Sequence, residues 1–279
     1  MPIHIIIGYG DWGRKITNFL VNQKFFKKIY IKNSSDFFEI YPKYKILNKK
    51  LFIKKLNNID TAHICSPAQT HLKYYKILHT KKVILEKPIV SSKNQFKNFK
   101  SIFKAKKNKV LVNYTDLFNK KVINLKKILK KNNNSVLDLV YVKKKKKYYN
   151  KFDFFNDWLD HPLSIVLFLL GNFSKYKISS KLKKTKKKYY KGELIINFNF
   201  KKIFINILIS NMRKKDERNM YIKTKNSNFK IDLKKNNSFK DIYNELLSKK
   251  KSLPFQDFKF HKKIFYEKEK IIKKIKILK

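Results

Sequence analysis

Several short constellations in the sequence carry residue types capable of chemistry. Near the N-terminus the string GYGDWG sets Gly8, Gly10 and Gly13 around Tyr9, Asp11 and Trp12. Without a Cβ the chain can turn tightly there, its backbone can approach a pyrophosphate, and a following helix can pack close to a sheet and aim its N-terminus at the anion. The whole chain has five glycines, and three of them fall within these six residues, which weighs against a chance match. An ordinary tight turn is the competing reading.

If a dinucleotide binds at this turn, the end of the second strand decides its type. A carboxylate about 20 residues after the glycines holds the ribose of NAD. Here that region reads Lys32, Asn33, Ser34, Ser35, with no acid before Asp36. A 2′-phosphate would be tolerated, so the cofactor is NAD or NADP, with NADP at least as acceptable. Ser66, Pro67 and His71 lie at the end of one strand and the start of a helix, and Glu86, Lys87 and Pro88 lie at the end of the next strand. Ligands of open α/β sheets bind at those carboxyl ends. The candidate cofactor-binding set is therefore Gly8, Tyr9, Gly10, Asp11, Trp12, Gly13, Asn33, Ser34, Ser66, Pro67, His71, Glu86 and Lys87. An amine at Lys87 could hydrogen-bond a substrate hydroxyl and stabilise alkoxide character. Alone it carries little weight in a chain where all but Arg14, Arg213 and Arg218 of the 69 basic residues are Lys. Asp157 and His161 bring a carboxylate and an imidazole to the entrance of a later helix, a pairing able to move a proton near neutral pH. A capping Asp beside a core His is the plainer alternative. No metal site is assigned.

The elements that must position these residues follow from hydrophobic period. In the first 117 residues short β-branched runs alternate with helical patterns, as in a parallel sheet covered by helices. Strands are expected at His4 to Ile7, Ile29 to Lys32, Thr61 to Cys65, Val83 to Leu85 and Val110 to Val112. Helices are expected at Trp12 to Asn22, Gln69 to His79 and Asn94 to Lys104, with a short helix starting in Phe37 to Ile40. After a connecting helix, Lys121 to Lys131, strands joined by short polar turns predict a mainly antiparallel sheet. It is interrupted by a helix from Pro162 to Leu170 and closed by helices at Phe239 to Leu247 and Phe258 to Leu278. The expected boundary separates residues 1–117 from 118–279.

The formal net charge of +50 would by itself suggest nucleic acid or an anionic membrane. A surface selected for phosphate or base recognition would keep planar, bidentate Arg, and this one is almost all Lys, alongside abundant Asn, Ile, Phe and Tyr. The charge reads as drift in an A/T-rich genome, and nucleic acid is not the expected partner. The longest large apolar run, Ile165 to Leu170, is far short of the ~20 residues of a membrane span. The first apolar run, from Ile3, is too short for a signal peptide. A single Cys65 fits a reducing cytoplasm. The oligomeric state is left open, a homo-oligomer included.

GYGDWG, SPAQTH, EKP and DWLDH, in that order, resemble the Gfo/Idh/MocA oxidoreductases. The resemblance implies a Rossmann doubly wound parallel sheet followed by an α/β domain on an open, mainly antiparallel sheet. It implies that Lys87 is the active-site lysine and that Asp157 and His161 act on a substrate hydroxyl. It also implies a substrate that is a sugar, sugar derivative or sugar nucleotide. The stretch from Asp216 to Asp232, with Arg218 ahead of two strands, is similar to that family's second domain. Ser66, Ala68, Leu159 and Ser164 depart from its pattern, the last two bearing on substrate class. The alternative is a non-catalytic dinucleotide-binding or basic binding protein on the same fold.

Overall fold

The computed structural model describes residues 1–106, 108–131, 134–144, 147–148, 155, 158–173, 175–234, 238–247, 257–275 and 277–278. Asp157 lies outside the described residues. The chain divides into two compact units, Met1–Asn113 with Ile242–Ser252, and Tyr114–Asp241 with Leu253–Lys279.

The first unit is built on β1 (Ile3–Ile7), β2 (Lys28–Asn33), β3 (Asp36–Tyr41), β4 (Lys45–Ile46), β5 (Thr61–Ile64), β6 (Lys82–Leu85) and β7 (Lys109–Val112), in the order β4-β3-β2-β1-β5-β6-β7. The five strands from β2 to β7 in that order are parallel. Their apolar runs, such as Ile5, Ile6 and Ile7, are buried on both faces, as a helix-covered parallel sheet requires. The helices are α1 (Asp11–Asn22), α2 (Lys49–Leu56), α3 (Ala68–Ile77) and α4 (Lys93–Ala105). In α1 the helical spacing puts Gly13, Ile16, Thr17 and Leu20 on the buried side.

Phe37 to Ile40, expected to open a short helix, is instead part of β3, antiparallel to β2. The turn at Asn33–Asp36, with Ser34 at φ 47°, sends the chain back along β2, and this aromatic and β-branched run pairs better than it coils. Glu39 on β3 is buried and sits 3.3 Å from Lys28 and 3.7 Å from Lys55, so its charge is compensated.

Beneath the sheet, His4 of β1 and His63 of β5 meet at 3.2 Å, and the Tyr243 hydroxyl lies 2.8 Å from His63 Nε2. Burial pushes the His4 pKa down to about 4, against a backbone bond to Phe25 that favours the proton, and pushes His63 well below its usual value.

The second unit carries β8 (Ser135–Val142), β9 (Tyr176–Lys184), β10 (Tyr190–Phe200), β11 (Ile203–Ser210), β12 (Glu217–Thr224), β13 (Asn228–Asp232) and β14 (Ile277–Leu278), ordered β13-β12-β8-β11-β10-β9-β14. Pairing is antiparallel except at β8·β11 and β9·β14. Leu137, Leu139 and Tyr141 alternate with half-exposed neighbours along β8, the signature of a sheet covered on one face. Its helices are α5 (Lys120–Lys131), α6 (Asp160–Leu170) and α8 (Phe258–Lys274), while α7 (Ser238–Leu247) carries Tyr243 into the first unit. Helix α6 is apolar nearly all round and buried, packed against α5 and α8, and stops at Gly171 in the left-handed region. The closing helix ends at Lys274 rather than running to Leu278. Ile275 is extended, and the apolar Ile277–Leu278 pair adds a parallel edge to β9.

Candidate functional site

The sequence-predicted residues of the first unit meet at the carboxyl ends of its parallel strands. The strand ladder continues one step past each strand: Gly8 N donates to Lys32 O (2.8 Å), Cys65 N to Ile7 O (2.7 Å), Glu86 N to Ile64 O (2.9 Å) and Asn113 N to Leu85 O (2.8 Å). The loops after β1, β5, β6 and β7 are thereby zipped side by side before they diverge.

Each glycine of the first loop has a distinct environment. Gly8 has φ +92°, and a Cβ there would lie 2.6 Å from Ser66 N; at Gly13 a Cβ would lie 2.2 Å from Gly8 O. At Gly10 nothing lies within 4 Å. Gly10 is the N-cap of α1 and offers no capping side chain, and the first helical bond is Arg14 N to Gly10 O. The N–H groups of the first turn therefore face an open position without a side-chain acceptor of their own cap, the arrangement that suits an anion. Asp11 brings an exposed negative charge to that turn, and Arg14 Nη2 neutralises it at 2.7 Å. Asn33 Oδ1 accepts from Tyr9 N at 3.4 Å, tying the glycine loop to the end of β2. Ser34 is exposed at the tip of the β2–β3 turn. No carboxylate stands at the end of β2 itself, and Lys32 rests 4.5 Å over the Phe37 ring.

Ser66, Pro67 and His71 are joined to the loop after β6. His71 Nε2 lies 2.6 Å from Ser66 O and Nδ1 3.1 Å from Ile89 O. Only the imidazolium could donate to both carbonyls, whereas burial lowers the His71 pKa. The ring spans the two loops in either state. Ser66 Oγ accepts from Thr70 Oγ1 at 2.7 Å. The Glu86 carboxylate is buried and accepts from Lys87 N (3.1 Å) and from Asn113 Nδ2, so it shapes the loop that carries Lys87. Asn113 Oδ1 is buried with no hydrogen-bond partner among the described residues. Lys87 is half-buried, with a cis peptide to Pro88. The residues present fit a dinucleotide: an open helix N-terminus for the pyrophosphate and neutral Asn33 and Ser34 for the adenosine side.

In the second unit, His161 stands in the first turn of α6, buried, with its ring stacked on Tyr141 at 6.0 Å. Its Nδ1 is 3.0 Å from Arg218 Nη2 and 3.4 Å from Asp116 Oδ2. Asp116, in a 3₁₀ turn at Thr115–Phe118, is fully buried and accepts from Tyr141 Oη (2.7 Å) and Arg218 Nη2 (2.6 Å). Arg218 on β12 is the register partner of Tyr141 on β8, which explains how strand pairing assembles the group. Burial works against the Arg218 charge, but Asp116 and Tyr141 outweigh it and raise its pKa; burial, then Asp116, raises that of Tyr141. Ser164, where the resembling family often has an acid, bonds back to His161 O at 2.7 Å. Asp160, next to His161, is paired with buried Lys268 at 2.9 Å.

Asp116 and Tyr141 were not singled out from the sequence. Arg218 carried a usable signal, since an arginine retained among so many lysines marks a site where a planar, bidentate donor is needed.

A parallel sheet with a glycine turn at the first strand, followed by a mixed sheet, defines a dinucleotide-binding Rossmann fold joined to a second α/β unit. Residues 4–114 match the family model GFO_IDH_MocA, described as "Oxidoreductase family, NAD-binding Rossmann fold". No curated protein sequence matches the chain. Among solved structures it is similar to the dehydrogenase MviM of Clostridium difficile (15% identity, TM-score 0.75, covering 98% of this chain and 99% of that one). It is also similar to the UDP-N-acetylglucosamine 3-dehydrogenase GnnA of Acidithiobacillus ferrooxidans (13%, 0.71, 97% and 96%). A third similar structure is the biliverdin reductase of Synechocystis sp. PCC 6803 (10%, 0.65, 97% and 98%). At these identities the likeness is one of fold. Among the described residues no helix is long and apolar enough to cross a membrane.

Proposed function

We propose that the protein is an NAD(P)-dependent oxidoreductase that moves a hydride between nicotinamide and a hydroxyl-bearing carbon of a sugar, sugar derivative or sugar nucleotide. The observation that carries the reading is the contrast within the glycine loop, where Gly8 and Gly13 are closed against backbone and Gly10 opens onto uncapped helix N–H groups. Bound there, the nicotinamide would supply or take the hydride. The first turn of α1 holds the pyrophosphate, and Asn33 and Ser34 meet the ribose, accepting NADP at least as well as NAD because no carboxylate repels a 2′-phosphate. Lys87, on the loop shaped by Glu86, donates to the substrate oxygen. His161 acts on that oxygen as the general base in oxidation, and Asp157 is assigned to orient substrate or imidazole. The sugar-nucleotide class is supported by the family resemblance and by likeness of fold to a UDP-N-acetylglucosamine 3-dehydrogenase.

The test is the absorbance of reduced nicotinamide when the protein meets NAD or NADP with a panel of polyols, sugars and sugar nucleotides. Lys87→Ala and His161→Ala are each expected to lower turnover at least ~100-fold with cofactor affinity nearly unchanged. The double variant should lose little more than the worse single one, as expected of groups serving one step. Dinucleotide binding with no turnover on any of these classes would favour a binding module without catalysis.

A further inference from the structure

We propose that the second unit holds the diphosphate of a sugar nucleotide in a cationic cavity near the His161 group, with Arg213 as the residue that grips it. The inference rests on the oxidoreductase reading for the sugar attached to the diphosphate, whereas the anion site itself stands without that reading. The cavity measures about 380 Å³ and opens where β8 and β11 end and β10 begins. Lys144, Lys147, Lys191, Arg213 and Lys214 line it, with Tyr189 beside them and no acidic residue in the lining. Two other clefts, one around His79 and Asn108 and one between α3 and α4, carry two lysines each. The concentration of charge is therefore local and not a mere reflection of the chain's composition.

The strand ends that frame the cavity are fixed by specific contacts. Asn211, buried at the end of β11, accepts from Gly192 N through Oδ1 at 2.8 Å and donates from Nδ2 to Tyr190 O at 3.0 Å. Its backbone N also donates to Gly192 O at 3.2 Å. This clamp ties the end of β11 to the start of β10 and brings Arg213 and Lys214 into one cavity with Tyr189 and Lys191. A Cβ at Gly192 would lie 2.2 Å from Lys181 O, so the approach of β10 to β9 at this point requires glycine. At the end of β8, Asp216 accepts from Lys144 N at 2.6 Å and from Lys143 Nζ at 2.8 Å.

The neighbouring acids are engaged, Asp216 by Lys143 and Glu193 by Arg213 Nε at 3.1 Å. Among the described residues Lys144, Lys147, Lys191 and Lys214 make no ion pair, so their ammonium groups repel one another, and a polyvalent anion relieves that repulsion. Glu193 orients the Arg213 guanidinium through Nε, and the terminal nitrogens make no hydrogen bond among the described residues. They form the planar fork that a phosphate accepts from bidentately. Of the chain's arginines, Arg14 stands at the glycine turn and Arg218 beside His161, and Arg213 lines this cavity.

The cavity and the His161 group share elements of one unit. Tyr141, stacked on His161, precedes Lys144 by three residues, and Arg218 follows Asp216 by two. Three residues of extended chain cover about 10 Å, the length of a hexose with phosphates at its anomeric carbon. A sugar whose hydroxyl meets His161 thus carries its diphosphate to the cavity, and binding taken from the phosphates orients the ring.

The experiment is titration calorimetry of the full chain with UDP, GDP, inorganic pyrophosphate and inorganic phosphate. UDP or GDP is expected to bind at least ~10-fold more tightly than phosphate, because a second phosphoryl group adds charge-assisted bonds. Arg213→Gln, a change at an exposed side chain, should weaken that binding ~10-fold, and Arg213→Lys should restore only part of it. Gly10→Val should leave UDP affinity unchanged, which separates this cavity from the glycine turn of the first unit. Phosphate binding as tightly as UDP and GDP would show an adventitious ion only and overturn the proposal. Absence of binding by UDP, GDP and pyrophosphate at ~1 mM overturns it too, as does equal affinity in the parent and Arg213→Gln or loss of UDP binding in Gly10→Val. In turnover of a sugar nucleotide, Arg213→Gln should raise KM by the same ~10-fold with kcat within ~2-fold of the parent. An unchanged KM, or turnover confined to sugars without phosphate, overturns the proposal and leaves the oxidoreductase reading standing. UDP binding that depends on Arg213, with no turnover on any substrate class, upholds the cavity and counts against the oxidoreductase reading.

Discussion

Replacing the loop glycines one at a time separates the positions that close the turn from the one that leaves room beside it. At Gly13 a Cβ would lie 2.2 Å from the Gly8 carbonyl oxygen and 3.3 Å from the Ile6 side chain. Real Cβ contacts do not fall below 3.0 Å, so the N-terminus of α1 would have to withdraw by about 0.8 Å. Overpacking against backbone of this kind costs about 1–3 kcal/mol. Gly8→Ala meets Ser66 N at 2.6 Å and also forces a side chain onto φ +92°. That strain adds a further ~1–3 kcal/mol. Gly10 has φ −75° and open space, so Gly10→Ala should stay within about 0.5 kcal/mol of the parent. Each kcal/mol moves the midpoint by roughly 2–8 °C for domains spanning this size range. Thermal melts followed by circular dichroism should therefore drop by several degrees for Gly8→Ala and Gly13→Ala and barely move for Gly10→Ala. A Gly13→Ala protein melting with the parent, or a Gly10→Ala protein that collapses, would refute the reasoning about which atoms crowd the turn.

Acid should destabilise the first unit through its buried histidines. With His4 at about 4 when folded and 6.5 when unfolded, the unfolded chain binds the extra proton between those values, so stability falls as pH drops through that window. About 3 kcal/mol is at stake at His4 alone; urea melts should show this slope in the parent and a shallower one in His4→Phe, and equal slopes would contradict it. In the second unit, Lys268→Met strands the buried Asp160 carboxylate, with an expected loss of about 3–5 kcal/mol. The double change with Asp160→Leu should recover most of it in the same melts. Titration calorimetry should find NADP bound at least as tightly as NAD, and a clear preference for NAD would mean that an acid such as Asp36 reaches the ribose.

The parallel sheet was legible because its strands are short, apolar and separated by amphipathic helices, so period alone located β1, β5, β6 and β7. Phe37 to Ile40 misled because a run of two aromatics, an acid and an isoleucine fits either period, and only the turn at Ser34, a long-range pairing matter, made it a strand. The end of the chain erred for a related reason: from Ile271 onward lysines and isoleucines are mixed in paired and single steps, and the edge of β9 that captures Ile277 and Leu278 is invisible locally. The glycine turn and the loops at Ser66 and Glu86 were legible as motifs, because each needs a specific residue type at a specific strand end. The group around His161 was legible only in part. Asp116, Tyr141 and Arg218 lie far apart in sequence; the pairing of β8 with β12 sets Tyr141 beside Arg218, Asp116 reaches them from the 3₁₀ turn, and no local spacing encodes that meeting.

Trp12, in the first turn of α1 and half-exposed, provides a reporter at the turn itself. In a Trp158→Phe protein it is the remaining tryptophan, and energy transfer from it to NADH or NADPH reads binding at that location. The account predicts saturable sensitised nicotinamide emission that is lost in Gly10→Val while the melting profile is preserved. Absence of saturable transfer with either dinucleotide, or transfer undiminished by Gly10→Val, would contradict the assignment of this turn as the dinucleotide site.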